Sequence, residues 1–152
     1  MLGRRETGRI VKPLNAIRIS GREALPLVEG GKGISVSNGE SSGAWSSCGG
    51  VGTFSGVNAD FLDDNGELIE QVYYGKSRKE RHEELIAFGI KGAIHQAQVA
   101  HELSDGRGAI HMNVLWEMGG CEHILHGVLE GAKGMVHGVT CGAGMPYKMA
   151  QI

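Results

Sequence analysis

Short apolar runs that end in glycine recur four times along the chain, and helix-like segments lie between them. The runs cover residues 25–33, 49–56, 110–120 and 135–144. A short apolar run bounded by glycine predicts a buried strand, and strands alternating with helical segments predict βα units with a parallel sheet. Ligands of such sheets bind at the carboxyl ends of the strands, where these glycines fall. The pattern therefore predicts an α/β fold with its site beside the glycines.

The segment after the first run predicts a helix over residues 39–48, with Ser37 or Asn38 as its N-cap. Serine and glycine are poor helix formers, so packing must hold this helix in place. Its apolar residues Ala44 and Trp45 are the expected anchors.

A long helix is predicted to begin at the capping box Ser-Arg-Lys-Glu of residues 77–80. Apolar residues recur every three to four positions and define one face: Ile86, Ile90, Ala93 or Ile94, Ala97 and Ala100. The pair Asp105-Gly106 ends this helix. The polar residues 58–75 before it predict a long loop, and a shorter helix is predicted over residues 121–130.

Composition narrows the class of protein. The chain of 152 residues has the length of one domain, and its 41% hydrophobic content is enough for a core. A net charge of −2 favours neither nucleic acid nor an anionic membrane, and a small-molecule substrate is expected. No run of 18 apolar residues is present, and three widely spaced cysteines argue against a disulfide framework. These features predict a cytoplasmic protein with reduced thiols.

Four motifs carry a family resemblance: Glu-Gly-Gly-Lys-Gly at 29–33, Gly-Gly-Val-Gly at 49–52, Asn113 in the third run, and Gly-Ala-Gly-Met-Pro at 142–146. In this order they resemble the nitronate monooxygenase family, formerly called 2-nitropropane dioxygenase, which includes FMN-dependent enoyl reductases. The resemblance covers residues 15–152 and implies a TIM-barrel-type (β/α)₈ fold with FMN over the carboxyl ends of the strands. It also implies that the backbone of Gly30, Gly31 and Lys32 and the side chain of Asn113 contact the cofactor.

The same resemblance predicts how the chain is divided into a terminal segment and a folded part. A closed barrel of eight βα units needs about 250 residues, so residues 15–152 are expected to be its amino-terminal half, after a flexible segment at 1–14. The catalytic histidine of the family would lie on a later strand, so no catalytic residue is named. An open half-barrel exposes strand edges and is expected to self-associate as a homo-oligomer.

The activity implied by the resemblance is that of a flavoprotein monooxygenase. Such an oxidoreductase converts an alkyl nitronate, with FMN and oxygen, into a carbonyl compound and nitrite. One alternative is an FMN-dependent enoyl reductase that uses NAD(P)H. Another is a truncated, non-catalytic chain that only binds flavin or self-associates.

Each implied contact also has a plainer interpretation. Gly30 and Gly31 could only permit a tight turn, and the Asn113 amide could pair with a protein carbonyl. Lys32 stands where the family usually has methionine. Its ammonium group would stabilise anionic reduced flavin by charge attraction, unless it is a solvated loop residue.

The histidines and cysteines do not predict a metal site. Three candidate ligands lie close in sequence, without a CxxC or HExxH pattern: Cys121, His123 and His126. His111 and His137 alternate within predicted strands and are candidates for lining a site. Cys141 follows the fourth run as a nucleophile at a strand end would, although a small buried thiol is the commoner role.

Overall fold

The computed structural model describes residues 13–152, and in this part of the chain strands and helices alternate. The predicted flexible segment, residues 1–14, lies outside the described residues except for its last two positions. The strands are β1 (Ile17–Ile19), β2 (Arg22–Ala24), β3 (Val51–Ser55), β4 (Ala109–Val114) and β5 (Gly138–Cys141). The helices are α1 (Gly39–Ser47), α2 (Arg78–Ser104) and α3 (Cys121–Gly131), and a short 3-10 turn covers Met149–Gln151.

Three of the four predicted runs form a parallel sheet in the order β3-β4-β5. The first run lies beside β3 but joins it through a single bridge, Val28 to Val51, and two flanking hydrogen bonds. In these, the Glu29 N–H donates to the Val51 carbonyl and the Val51 N–H donates to the Leu27 carbonyl, both at 2.8 Å. The α/β class with a parallel sheet is confirmed, and the described residues form an open sheet rather than a closed barrel.

Alternating side chains give this sheet two faces of opposite character. On one face Phe54, Ile110 and Met112 are fully buried against the alanines of α2 and the apolar residues of α3. The other face is polar, and its buried polar members are Thr53, Ser55, His111 and Asn113. Because the helices cover the apolar face, the polar face is the one on which a site can form.

Helix α1 packs through its smallest residues and not through the expected anchors. Ala44 and Trp45 are both exposed, Trp45 to 40%, so the prediction of their role was wrong. The buried residues are Gly39, Ser42, Gly43 and Ser46. A methyl group on Gly39 or Gly43 would overlap atoms of α2, because the two helices approach closely there. Asn38 caps α1, as one of the two expected residues.

The predicted start and end of α2 are confirmed. Ser77 Oγ accepts from the Glu80 N–H at 3.2 Å, and the Glu80 carboxylate accepts from the Ser77 N–H at 2.9 Å. Asp105, in the left-handed region at φ 50°, ends the helix. The loop of residues 58–75 lies so close to Gly92 that a methyl group there would overlap the loop backbone. None of the helices in the described part of the chain is long and apolar enough to cross a membrane.

The β1–β2 hairpin closes the amino end of the sheet. Arg22 Nε donates to the Gly108 carbonyl and Arg22 Nη2 donates to the Gly106 carbonyl, each at 2.6 Å. Ala24 packs with Val51 and Ala109 in a small second core. The hairpin therefore covers the amino-terminal part of the polar face, and the carboxyl ends of the strands are left to the loops that follow them.

Candidate functional site

Gly31 and Asn113 are the two predicted site residues that the fold brings together. Asn113 lies near the carboxyl end of β4, and Gly31 follows the extended segment of residues 25–29. A methyl group on Gly31 would overlap Cβ and Cγ of Asn113 and would lie 2.8 Å from its Oδ1. Only a residue without a side chain can therefore cross Asn113 at this distance.

The Asn113 amide is the most unusual polar group of the site. The residue is only 5% exposed, and its amide has no hydrogen-bond partner within residues 13–152, but the fully buried unpaired side-chain atoms there are Thr53 Oγ1 and Gln71 Nε2 and not the atoms of this amide. Its backbone carbonyl is paired, since it accepts from the Gly56 N–H at 2.8 Å. Gly142 also lies near this amide: a methyl group there would be in ordinary contact with Oδ1 at 3.9 Å, and its closest approach would be to Leu115 Cδ2 at 2.8 Å. An amide that has no partner in the described chain can both donate to and accept from a bound molecule, so it is a candidate ligand contact.

Lys32 takes part in a turn that Ser37 holds closed. Ser37 Oγ accepts from the Lys32 N–H at 2.9 Å and donates to the Lys32 carbonyl at 3.2 Å. The backbone of Lys32 is thus already paired, and what it can offer a ligand is its exposed side chain. Gly30 is exposed, and a methyl group on it would meet no atom within 4 Å.

The turn continues into a segment of unusual backbone geometry. Ile34 and Ser35 have φ values of 53° and 57°, and the left-handed region is unfavourable for a β-branched residue such as isoleucine. Ser35 Oγ holds the segment to the neighbouring loop, donating to the Asn58 carbonyl at 3.0 Å and accepting from the Asp60 N–H at 2.7 Å. Ile34 is 71% exposed. Strained backbone of this kind is common at ligand sites, at roughly 1–3 kcal/mol per residue.

Glu29 is a buried site residue that sequence reasoning missed. Its carboxylate accepts from the Ser41 hydroxyl at 2.8 Å and from the Thr53 N–H at 3.0 Å. Ser42 Oγ lies 3.2 Å from the same carboxylate and 2.7 Å from the Asn38 carbonyl, and it shares one proton between them. The sequence signal that could have identified Glu29 is its position: it is an acidic residue at the end of an apolar run, directly before two glycines.

His111 and His137 have structural partners, and only His111 lies in a strand as predicted, since His137 directly precedes β5. A hydrogen bond of 2.8 Å joins His111 Nε2 to Ser20 Oγ, and His137 Nδ1 accepts from the Ile110 N–H at 2.9 Å. Burial lowers the pKa of His111, and burial together with the nearby positive charge of Arg22 lowers the pKa of His137 to about 4. Both rings are therefore neutral at pH 7, and both belong to the part of the sheet closed by the hairpin.

The other cysteines and histidines considered as metal ligands or nucleophiles do not come together in one site. Cys121 is buried, which raises the pKa of its thiol, while His123 and His126 are exposed. Within residues 13–152 no group of three or more histidine, cysteine, aspartate or glutamate side chains could hold a metal ion. The thiol of Cys141 is half-buried and lies 3.8 Å from the Ala143 carbonyl, with no histidine hydrogen-bonded to it in the described chain.

Comparisons with protein-family models, with curated proteins and with solved structures found no match for this chain. The site itself consists of the Asn113 amide, Gly31 packed against it, Gly142 near its Oδ1, and a closed turn that carries the exposed side chain of Lys32.

Proposed function

We propose that this chain is the FMN-binding part of an oxidoreductase of the nitronate monooxygenase type. The reaction would oxidise an alkyl nitronate with oxygen and give a carbonyl compound and nitrite. The observation that carries the proposal is the close approach of Gly31 to Asn113, a residue that is 5% exposed and whose amide has no hydrogen-bond partner in the described chain.

The residues present fit a flavin. Its ring system is flat and its pyrimidine edge alternates carbonyl acceptors with an N–H donor, so it needs a surface without side chains and a group that both donates and accepts. Gly31, which packs against Asn113, and Gly142, near its Oδ1, supply backbone without side chains, and an amide both donates and accepts. These three residues would hold the ring edge.

The barrel expectation is part of the same proposal. Consecutive runs of the chain lie side by side in a parallel sheet, with helices on one face and polar side chains on the other. This is the arrangement of consecutive units in a (β/α)₈ barrel, whose sites lie at the carboxyl ends of the strands. Residues 15–152 would then form its amino-terminal half.

Bound FMN would supply the electron transfer, and the chain would supply position and charge. Asn113 would orient the ring edge, and the turn at Lys32 would bring one positive charge to the rim of the site. Neither residue is placed to move a proton, and no catalytic base is named among the described residues.

Binding of FMN by the purified chain is the direct test. We expect flavin absorbance to stay with the protein through a desalting column, and we expect Gly31→Ala to weaken binding at least tenfold because the methyl group displaces Asn113. Gly33→Ala is the matched control, since a methyl group at Gly33 meets no atom within 4 Å. A colourless wild-type protein, or equal losses in the two variants, would contradict the proposal.

The enoyl reductase alternative uses the same cofactor and differs in its electron donor. Rapid bleaching of the bound flavin by NAD(P)H would favour the reductase. Bleaching by an alkyl nitronate under argon would favour the monooxygenase.

Self-association is a second candidate role, and one observation favours it. Leu27 and Val28 are 44% and 52% exposed on the open side of the 25–29 segment, next to β3. An apolar strand edge of this kind tends to pair with another strand. Sedimentation velocity with and without FMN would show whether oligomers form independently of flavin.

A further inference from the structure

Glu29 is a buried carboxylate without a cationic partner in the described chain. It is 5% exposed, and the one ion pair among residues 13–152 joins Lys79 to Glu83. Removing a carboxylate from water is unfavourable unless hydrogen bonds replace its hydration. Ser41 and Thr53 provide two such bonds, and the shared proton of Ser42 provides part of a third.

These bonds join three separate elements. Glu29 ends the extended 25–29 segment, Ser41 lies in the first turn of α1, and Thr53 is the central residue of β3. An apolar side chain could fill the same space without desolvating a charge, but it could not bond to both elements. The Glu29 N–H already ties the segment to β3 through the Val51 carbonyl at 2.8 Å, and the carboxylate adds the bonds to α1 and to the Thr53 N–H that fix the end of the segment relative to both elements.

That end point determines the position of Gly31. Gly30 has no side chain and no backbone hydrogen bond in the described chain, so it cannot anchor the loop. The next fixed point is Lys32, whose backbone is bonded to Ser37. Gly31 is thus suspended between two anchors, Glu29 before it and the Ser37 turn after it.

From this arrangement we infer that Glu29 is a positioning residue for the ligand site, holding Gly31 over the Asn113 amide without touching the ligand itself. The inference rests on the proposed function for its ligand, FMN. The part of the inference that concerns the loop, namely that Glu29 holds Gly31 in position, does not depend on FMN. Loss of the carboxylate leaves the Glu29 N–H bond to the Val51 carbonyl as the remaining anchor before Gly31, so Gly31 becomes more mobile over Asn113.

The test compares Glu29→Gln with Glu40→Gln, a matched loss of an exposed carboxylate in the first turn of α1. Backbone ¹⁵N relaxation reports the loop directly, with order parameters of about 0.85 for rigid and below 0.6 for flexible backbone. We expect Gly31 to move from the first value to the second in Glu29→Gln only, with loss of the nuclear Overhauser effect between Gly31 Hα and Asn113 Hβ. We also expect FMN affinity to fall at least tenfold in that variant alone.

Glu29→Asp keeps the charge but is one methylene too short to reach Ser41 and Thr53 together, so its loop mobility and FMN affinity should be intermediate. If Glu29→Gln does not fold, this variant decides the question. A rigid Gly31 in the substituted chain overturns the inference, as does a mobile Gly31 with unchanged FMN affinity. The wild-type chain could bind no FMN while Glu29→Gln still makes Gly31 mobile. That result would refute the proposed function, but it would support the inference that Glu29 holds the loop in position.

Discussion

The two ends of the same sheet differ in how completely their polar groups are paired. At the amino end, the Arg22 guanidinium donates to two loop carbonyls, His137 accepts from the backbone of β4, and His111 is bonded to Ser20. These bonds tie the hairpin and the residue before β5 to β4 or to the loop that precedes it. The Arg22 guanidinium and both histidines are thus paired, while the Thr53 hydroxyl, opposite His111, is buried without a partner in the described residues.

At the carboxyl end the pairing is incomplete and the backbone is strained. The Asn113 amide has no partner in the described chain, and Ile34 and Ser35 adopt left-handed conformations. Exposed aliphatic side chains, Ile34 and Val36, border this region. Such features oppose folding stability, and they are typical of the end of a parallel sheet that binds ligands.

If the carboxyl end holds the ligand as proposed, stability and binding depend on opposite ends of the strands. Substitutions at the amino end should change the free energy of unfolding with little direct effect on a ligand. Substitutions of the Asn113 and Lys32 side chains at the carboxyl end should change binding and leave unfolding almost unaffected. The following variants test that division.

Gly108→Ala should have the largest effect, and it should act on folding. Gly108 has a φ of +55°, and a methyl group there would overlap the Gly50 carbonyl and lie 2.7 Å from the Ser46 carbonyl. Because both obstacles are backbone atoms, we expect the free energy of unfolding to fall by about 3 kcal/mol or more. Urea unfolding measures this, with Gly33→Ala at the carboxyl end as a control expected within about 0.5 kcal/mol of wild type. Equal losses of unfolding free energy in Gly108→Ala and Gly33→Ala would show that the two ends of the sheet do not differ in their contribution to stability.

Asn113→Leu should separate binding from folding. Leucine has a similar shape and removes a buried amide that has no partner in residues 13–152, so we expect the free energy of unfolding to stay level or rise by about 1 kcal/mol. FMN affinity should fall at least tenfold. The exposed Asn65, changed to leucine in the same way, should alter neither quantity. A destabilised Asn113→Leu protein would mean that the amide is already paired inside the protein.

The elements of this fold that could be predicted from sequence are those with local signals. The Ser77 capping box and the left-handed end of α2 at Asp105 are short-range patterns, and the structure confirms them. The runs that became β3, β4 and β5 have a composition typical of buried strands. Gly31 and Asn113 were named as site residues through the family resemblance, and the structure brings them into contact.

What could not be predicted depends on tertiary packing. Trp45 is the largest apolar side chain of α1, but the helix lies so close to α2 that only Gly39 and Gly43 fit between them. Glu29 resembles a surface acid in sequence because its partners Ser41 and Thr53 are 12 and 24 positions away. No window of neighbouring residues contains that information.

His137→Asn should change the pH dependence of stability at the amino end. The pKa of His137 is lowered to about 4 in the folded state, from an ordinary value of 6.5, by burial and by the charge of Arg22. The unfolded chain then binds a proton more readily than the folded chain, so folding stability present above pH 6.5 is lost as pH falls toward 4. Asparagine keeps an acceptor for the Ile110 N–H but does not titrate.

We therefore expect urea unfolding of His137→Asn to lose less stability between pH 6.5 and pH 4 than wild type. Some decline should persist, because the pKa of His111 is lowered by burial as well. His126→Asn, at an exposed histidine, should follow the wild-type curve. Identical pH profiles for all three proteins would show that protonation of His137 does not limit the stability of the amino end.

Lys32→Met should have the smallest effect and should act only on the cofactor. The Lys32 side chain is exposed and its backbone is held by Ser37, so its removal should leave the free energy of unfolding unchanged. A positive charge about 4 Å from a negative one in water is worth about 1 kcal/mol, which for a two-electron couple corresponds to roughly 20 mV. Without this charge the anionic reduced flavin is less favoured, so the midpoint potential of bound FMN should fall by up to that amount. Lys76→Met, at an exposed lysine two residues before α2, controls for the change in net charge. If both variants keep the wild-type potential, Lys32 is a solvated loop residue and binding at this end depends on Gly31 and Asn113 alone.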